Sequence, residues 1–177
     1  MIYFIRHGQT DWNKLKIMQG QTDIPLNETG IQQAKETGKL LMGVKFDAVY
    51  CSPFERARQT FENLGIHFDL KNVVFDDRLK ERFYGDFEGK PKNSFDYEKC
   101  WYYSLSLTTG NIEPVNKFFE RVSEFIRELQ KNHSGENVLV IAHAGVARAF
   151  KFYFDGLKDE EIPTFVPQNG EYLNFEL

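Results

Sequence analysis

Cysteine is scarce in this chain of 177 residues, with Cys51 and Cys100 the only two and neither in a Cys-x-x-Cys pair. That scarcity excludes a disulfide framework and a compact structural zinc site, and it marks Cys51, at the end of an apolar run, as a small buried residue. Basic charge is not in excess either. With 22 Lys and Arg against 26 Asp and Glu, the formal net charge is -4. The chain therefore lacks the electrostatic footprint of a nucleic-acid binder, and any anionic ligand must be held by local cations. No apolar stretch approaches the roughly 20 residues of a membrane span, and the first apolar run stops at Arg6. A cytoplasmic protein with neither a membrane nor a nucleic-acid partner is expected. Repeats and low-complexity tracts are also missing, and 41% hydrophobic content over this length predicts one domain spanning residues 1–177.

The chain does contain short apolar runs alternating with helical patterns. Ile2-Tyr3-Phe4-Ile5 and Val138 to Ala142 read as buried strands, a further strand ends near Cys51, and Val73-Val74-Phe75 is another. The alternation of Leu173, Phe175 and Leu177 with polar neighbours predicts a final strand. Asn27 is placed to cap a helix running to Gly43, after a polar loop from Gly8 to about Leu26. Ser52-Pro53-Phe54-Glu55 has the form of a capping box and predicts a helix to about Leu64. Val115, Phe118, Phe119, Val122, Phe125, Ile126 and Leu129 recur at helical spacing, and another helix is expected from about Gly145 to Phe154. Strands separated by helices predict an α/β fold: three layers, doubly wound, with a largely parallel sheet and helices on both faces.

Two triplets carry the chemistry. Arg6-His7-Gly8 and His143-Ala144-Gly145 each follow a strand, so both histidines emerge at carboxyl ends of strands, where open α/β sheets bind ligands. A transferring phosphoryl group carries close to two negative charges, and guanidinium groups suit its oxygens, which makes Arg6 and Arg56 its expected clamp. A neutral His7 is expected to attack phosphorus, with its other ring nitrogen donating to a carbonyl in the Gly8 turn. His143, if protonated, would be a cationic donor to the equatorial oxygens. His67 and His133 lie outside every motif and read as ordinary histidines. A zinc site on His7 and His143 lacks a third ligand at a recognisable spacing. No metal and no cofactor are expected.

These residues in series resemble the histidine phosphatase superfamily, phosphoglycerate mutase-like branch. The resemblance rests on Arg6-His7-Gly8-Gln9-Thr10, Asn13, Leu26 to Gly30, Ser52 to Ala57, Glu81-Arg82-Phe83-Tyr84-Gly85 and His143-Ala144-Gly145, in order along nearly the whole chain. It implies that His7 is phosphorylated, that Arg6, Arg56 and His143 complete the phosphate pocket, and that Asn13, Gln19 and Gly20 line it. Glu81 matches the proton donor, a carboxyl that must first give a proton to the leaving oxygen and then activate water. Arg82, Tyr84 and Ala144 are expected on the substrate side. The resemblance further implies that residues 86–112 cover the pocket. The aromatics of that segment either meet a phosphorylated small-molecule substrate or form a packed helix burying Trp101 and Leu105. The chain is shorter than the phosphoglycerate mutases it resembles, and the covering segment lacks their paired arginines, so hydrolysis is favoured over phosphoglycerate mutase-type transfer. A non-catalytic phosphate-binding module is the other alternative, and no pattern speaks to oligomeric state.

Overall fold

A computed structural model describes residues 1–177, the side chain of Leu70 excepted. Five strands form one sheet, β1 (Ile2–Arg6), β2 (Ala48–Cys51), β3 (Val74–Phe75), β4 (Val138–Ala142) and β5 (Tyr172–Phe175), in the order β3-β2-β4-β1-β5. All neighbours are parallel except β5, which runs antiparallel to β1. The helices are α1 (Asp11–Lys14), α2 (Glu28–Leu40), α3 (Glu55–Asn63), α4 (Val115–Asn132) and α5 (Ala144–Asp155).

Alternation along the strands divides the core. Ile2, Phe4, Val138, Val140 and Ala142 join the buried stripes of α4 and α5 on one face. Ile5, Leu139, Ile141 and Val49 meet Leu41, Ala57, Phe61 and Leu64 on the other. Each fully buried side chain of this kind contributes roughly 1.5–3 kcal/mol relative to exposure, and the seven apolar positions of α4 are all buried. The expected three layers therefore follow from period-2 strands placed between period-3.6 helices. No described helix is long and apolar enough to cross a membrane.

Register positions the chemistry. Arg6 pairs with Ala142, so His7 and His143 leave adjacent strands side by side, while Cys51 opposite Ile141 brings Ser52 to the same rim.

Several local expectations change. The polar loop after β1 contains α1, opened by a capping box in which the Thr10 side chain accepts from the Asn13 amide and Asn13 reaches back to Thr10 N–H. Ser52 is not the cap of the helix: α3 begins at Glu55, with Phe54 at the cap position, and the buried Ser52 hydroxyl bonds His143 at 2.7 Å while accepting from Phe54 N–H at 3.5 Å. The open helix end is satisfied from elsewhere, as Glu55 N–H donates to both carboxylate oxygens of Asp23 at 2.9 and 3.0 Å. Helix α2 stops at Leu40, before Gly43. Between α3 and α4 the chain makes β3 and a series of short 3-10 turns, four of them within residues 85–111. Trp101 is buried there as expected, whereas Leu105 is half exposed and belongs to no helix. Cys51 and Cys100 are both buried, free thiols.

Candidate active site

His7 is buried directly beyond β1, with its backbone N–H held by the Ala142 carbonyl. Its Nδ1 lies 2.7 Å from the Gly8 carbonyl, an acceptor only, so Nδ1 carries the proton and Nε2 keeps its lone pair. Burial, then the charges of Arg56 and Arg6, hold the His7 pKa well below 6.5. The ring is thus neutral near pH 7. The loop leading into β5 straps this corner: Pro167 O accepts from the Arg6 guanidinium, and Asn169 Nδ2 donates to the His7 carbonyl at 3.1 Å and to Asn13 Oδ1 at 3.1 Å.

Arg56 is buried in the first turn of α3 and is held from three sides. Its Nη2 donates to Gly20 O at 2.7 Å, its Nη1 to Thr22 O at 2.9 Å, and its Nε to His143 Nδ1 at 3.3 Å. Burial lowers the pKa of Arg56 and of Arg6 to about 10, partly offset for each by Glu81, so both remain cations at neutral pH. Arg6 Nε is buried without a protein partner and is an uncommitted donor.

His143 departs from the expected cation. A guanidinium can only donate, so Nδ1 of His143 must accept, and Nε2 sits 2.7 Å from Ser52 Oγ. Burial, then Arg56, His7 and Arg6, keep its pKa well below 6.5. The two imidazoles, with centroids 5.1 Å apart, are both neutral at rest, and the positive charge comes from the guanidinium groups.

Glu81 faces them with its carboxylate tied to backbone donors, Arg82 N–H at 2.8 Å and Gly145 N–H at 3.0 Å, the latter in the first turn of α5. The missing side chain at Gly145 permits this approach, since a Cβ there would stand 2.0 Å from Glu81 Oε1 and push the carboxylate away.

One small cleft of about 40 Å³ collects Arg6, His7, Asn13, Gln19, Gly20, Arg56, Glu81, Tyr84 and Ala144, while His143 does not line it and meets it through its bond with Arg56. Arg82 is not brought there. Its guanidinium is buried against the carbonyls of Glu113 and Cys100 at 2.7 and 2.6 Å and over the Trp101 ring at 4.9 Å, so it supports the wall rather than facing the cleft.

Ile17, Met18, Lys92 and Arg148 also line the cleft and were not expected, and Tyr97 joins them as one of the 86–112 aromatics expected either at the substrate or in a packed helix. Arg148 could have been found, because it lies one turn beyond Ala144 on the same face of α5. It donates to Tyr97 Oη at 2.9 Å. Burial alone would raise the Tyr97 pKa, but Arg148 and Lys92 outweigh it and hold it below 10. No signal points to Lys92, whose placement depends on long-range packing. Four of the lining residues are cations and Glu81 is the one carboxylate, which gives an acidic protein a positive cleft. Among the described residues no three His, Cys, Asp or Glu side chains gather as a metal site would require.

Comparison with known proteins agrees with this geometry. The chain is 35% identical over 175 residues to the uncharacterized phosphatase PhoE of Bacillus subtilis, covering 99% of this chain and 87% of that one. It is 30% identical over 200 residues to a phosphoglycerate mutase of Schizosaccharomyces pombe, covering 100% and 95%. The structure of the alpha-ribazole phosphatase from Shigella flexneri superposes with a TM-score of 0.80 at 30% identity, covering 97% of this chain and 87% of that chain. The sequence model of the histidine phosphatase superfamily (branch 1) matches residues 2–177, and the chain belongs to that family.

Proposed function

We propose that the protein is a metal-independent phosphatase that hydrolyses a phosphate monoester of a small molecule through a phosphohistidine on His7. The observation that carries this reading is the His7 ring itself: Nδ1 is committed to the Gly8 carbonyl at 2.7 Å, which leaves a buried, neutral Nε2 beside two guanidinium groups.

In the first step the Nε2 lone pair forms an N–P bond as the P–O bond to the alcohol breaks. Glu81, protonated for this step, supplies the proton to the leaving oxygen. Arg6 and Arg56 neutralise the charge on the equatorial oxygens. Glu81, now ionised, removes a proton from water, whose oxygen attacks phosphorus and breaks the N–P bond, which frees phosphate and restores His7. His143 enters neutral, and an arriving phosphate dianion favours its protonation, so its donor role depends on the substrate. Asn13, Gln19, Gly20, Tyr84 and Ala144 shape the pocket. The 86–112 segment covers it and contributes Lys92 and Tyr97, residues 1–177 act as one domain, and two free thiols support a cytoplasmic location.

Likeness to a phosphoglycerate mutase supports a second reading, phosphoryl transfer between carbons. The test is turnover of a chromogenic phosphate monoester with chelator present, in the parent and in His7→Ala. Chelator-resistant release of phosphate that vanishes in His7→Ala is expected. Transfer on phosphoglycerate with little release favours the mutase, and phosphate binding without turnover contradicts both enzymes.

A further inference from the structure

We propose that Glu88, in the turn region after Tyr84, is a positioning residue that fixes the Arg56 guanidinium through the backbone of Gly20–Thr22; the proposal rests on the phosphatase reading of the cleft. Four donors converge on this half-buried carboxylate. Oε1 accepts from Gln21 N–H at 2.8 Å and Tyr84 N–H at 3.0 Å, and Oε2 accepts from Thr22 N–H at 2.9 Å and Thr22 Oγ1 at 2.7 Å. A carboxylate accepts from all four, whereas a Gln side chain would turn an NH2 against at least one backbone N–H.

The carbonyls of the same loop hold Arg56, Gly20 O at 2.7 Å from Nη2 and Thr22 O at 2.9 Å from Nη1. The Gly20 carbonyl and the Gln21 N–H belong to one planar peptide unit. A single peptide therefore separates the negative carboxylate from the positive guanidinium, and each hydrogen bond polarises the other. The loop is built for this approach: Gly20 has φ +53°, and a Cβ there would lie 2.0 Å from Glu88 Oε1. Glu88 also fixes the backbone of Tyr84, which lines the cleft, so two walls share one anchor.

The test is a double-mutant cycle on the parent, Glu88→Gln, Arg56→Lys and the pair, reading both kcat/KM on a chromogenic phosphate monoester and the affinity for inorganic phosphate. Glu88→Gln is expected to lower both by about tenfold in the parent, the scale of one charged hydrogen bond, and by less than about twofold when Arg56 is already lysine. Equal losses in the two backgrounds would mean that Glu88 merely supports the fold, and would overturn the proposal. If Glu88→Gln does not fold, Glu88→Asp, which keeps the carboxylate and shortens its reach, runs the same cycle with the same two outcomes. A parent that binds phosphate without turnover would count against the phosphatase reading, while the phosphate-affinity cycle would still decide the role of Glu88.

Discussion

At the scale of single residues, fixed protein partners hold the cradle in shape while Arg6 Nε is left for a ligand. Arg56 spends Nε, Nη1 and Nη2 on three fixed acceptors and still has N–H groups for phosphate, a geometry that an ammonium cannot copy. Arg56→Lys should therefore lower kcat/KM by about a hundredfold despite keeping the charge, and a loss of only a few-fold would contradict the clamp. Gly145→Ala probes Glu81 without altering its chemistry. The added methyl displaces the carboxyl, so hydrolysis of alkyl phosphates should fall about tenfold or more below that of aryl phosphates, whose leaving oxygen needs little protonation; equal losses would argue against proton donation. Arg6, His7, Arg56 and His143 were legible in the sequence because strand ends and short motifs mark them. The neutral state of His143 was not legible, because it depends on which atom Arg56 turns toward it, a contact between residues 87 positions apart.

At the scale of elements, the ends of strands and helices decide what reaches the rim. Helix α3 carries Arg56 in its first turn, and its open N-terminus is capped by Asp23 from the loop ahead of α2 rather than by Ser52. Asp23→Ala should cost about 1 kcal/mol of stability in a denaturant titration, the usual value of a lost N-cap, and no change would mean that the cap is idle. Ser52 fits the capping pattern by residue type, but its buried place beside β4 makes its hydroxyl more useful to His143. The strands could be read from apolar runs or alternation, α4 from its period, and α2 and α3 from residues of capping type. The region from Gly85 to Asn111 could not, because its turns are held by distant partners: the guanidinium groups of Arg82 and Arg148 both stack over the Trp101 ring, at 4.9 and 4.2 Å, with no local periodicity to show it.

At the scale of the whole molecule, parallel pairing of β1 with β4 brings two histidines 136 positions apart into edge contact, and burial there ties catalysis to pH-dependent stability. His7 and His143 are neutral in the folded chain and bind protons near pH 6.5 once unfolded, so the unfolded state takes up more protons below that pH. Stability is fully present above pH 6.5 and should fall on acidification by up to about 1.4 kcal/mol per pH unit for each ring, until the depressed folded pKa is reached. Thermal unfolding followed from about pH 7 to about pH 5 should show a shallower decline in His7→Asn than in the parent, and parallel curves would contradict the assignment. The acid limb of kcat/KM should likewise lie below pH 6.5, since the attacking ring stays unprotonated to that point. The most direct test of the account is to locate the phosphoryl group on the chain, by mixing Glu81→Gln with an activated phosphate ester, quenching in alkali to preserve phosphohistidine, and mapping the peptides by mass spectrometry. The account predicts phosphate on His7 alone; phosphate on His143, or turnover with His7 never modified, would contradict it.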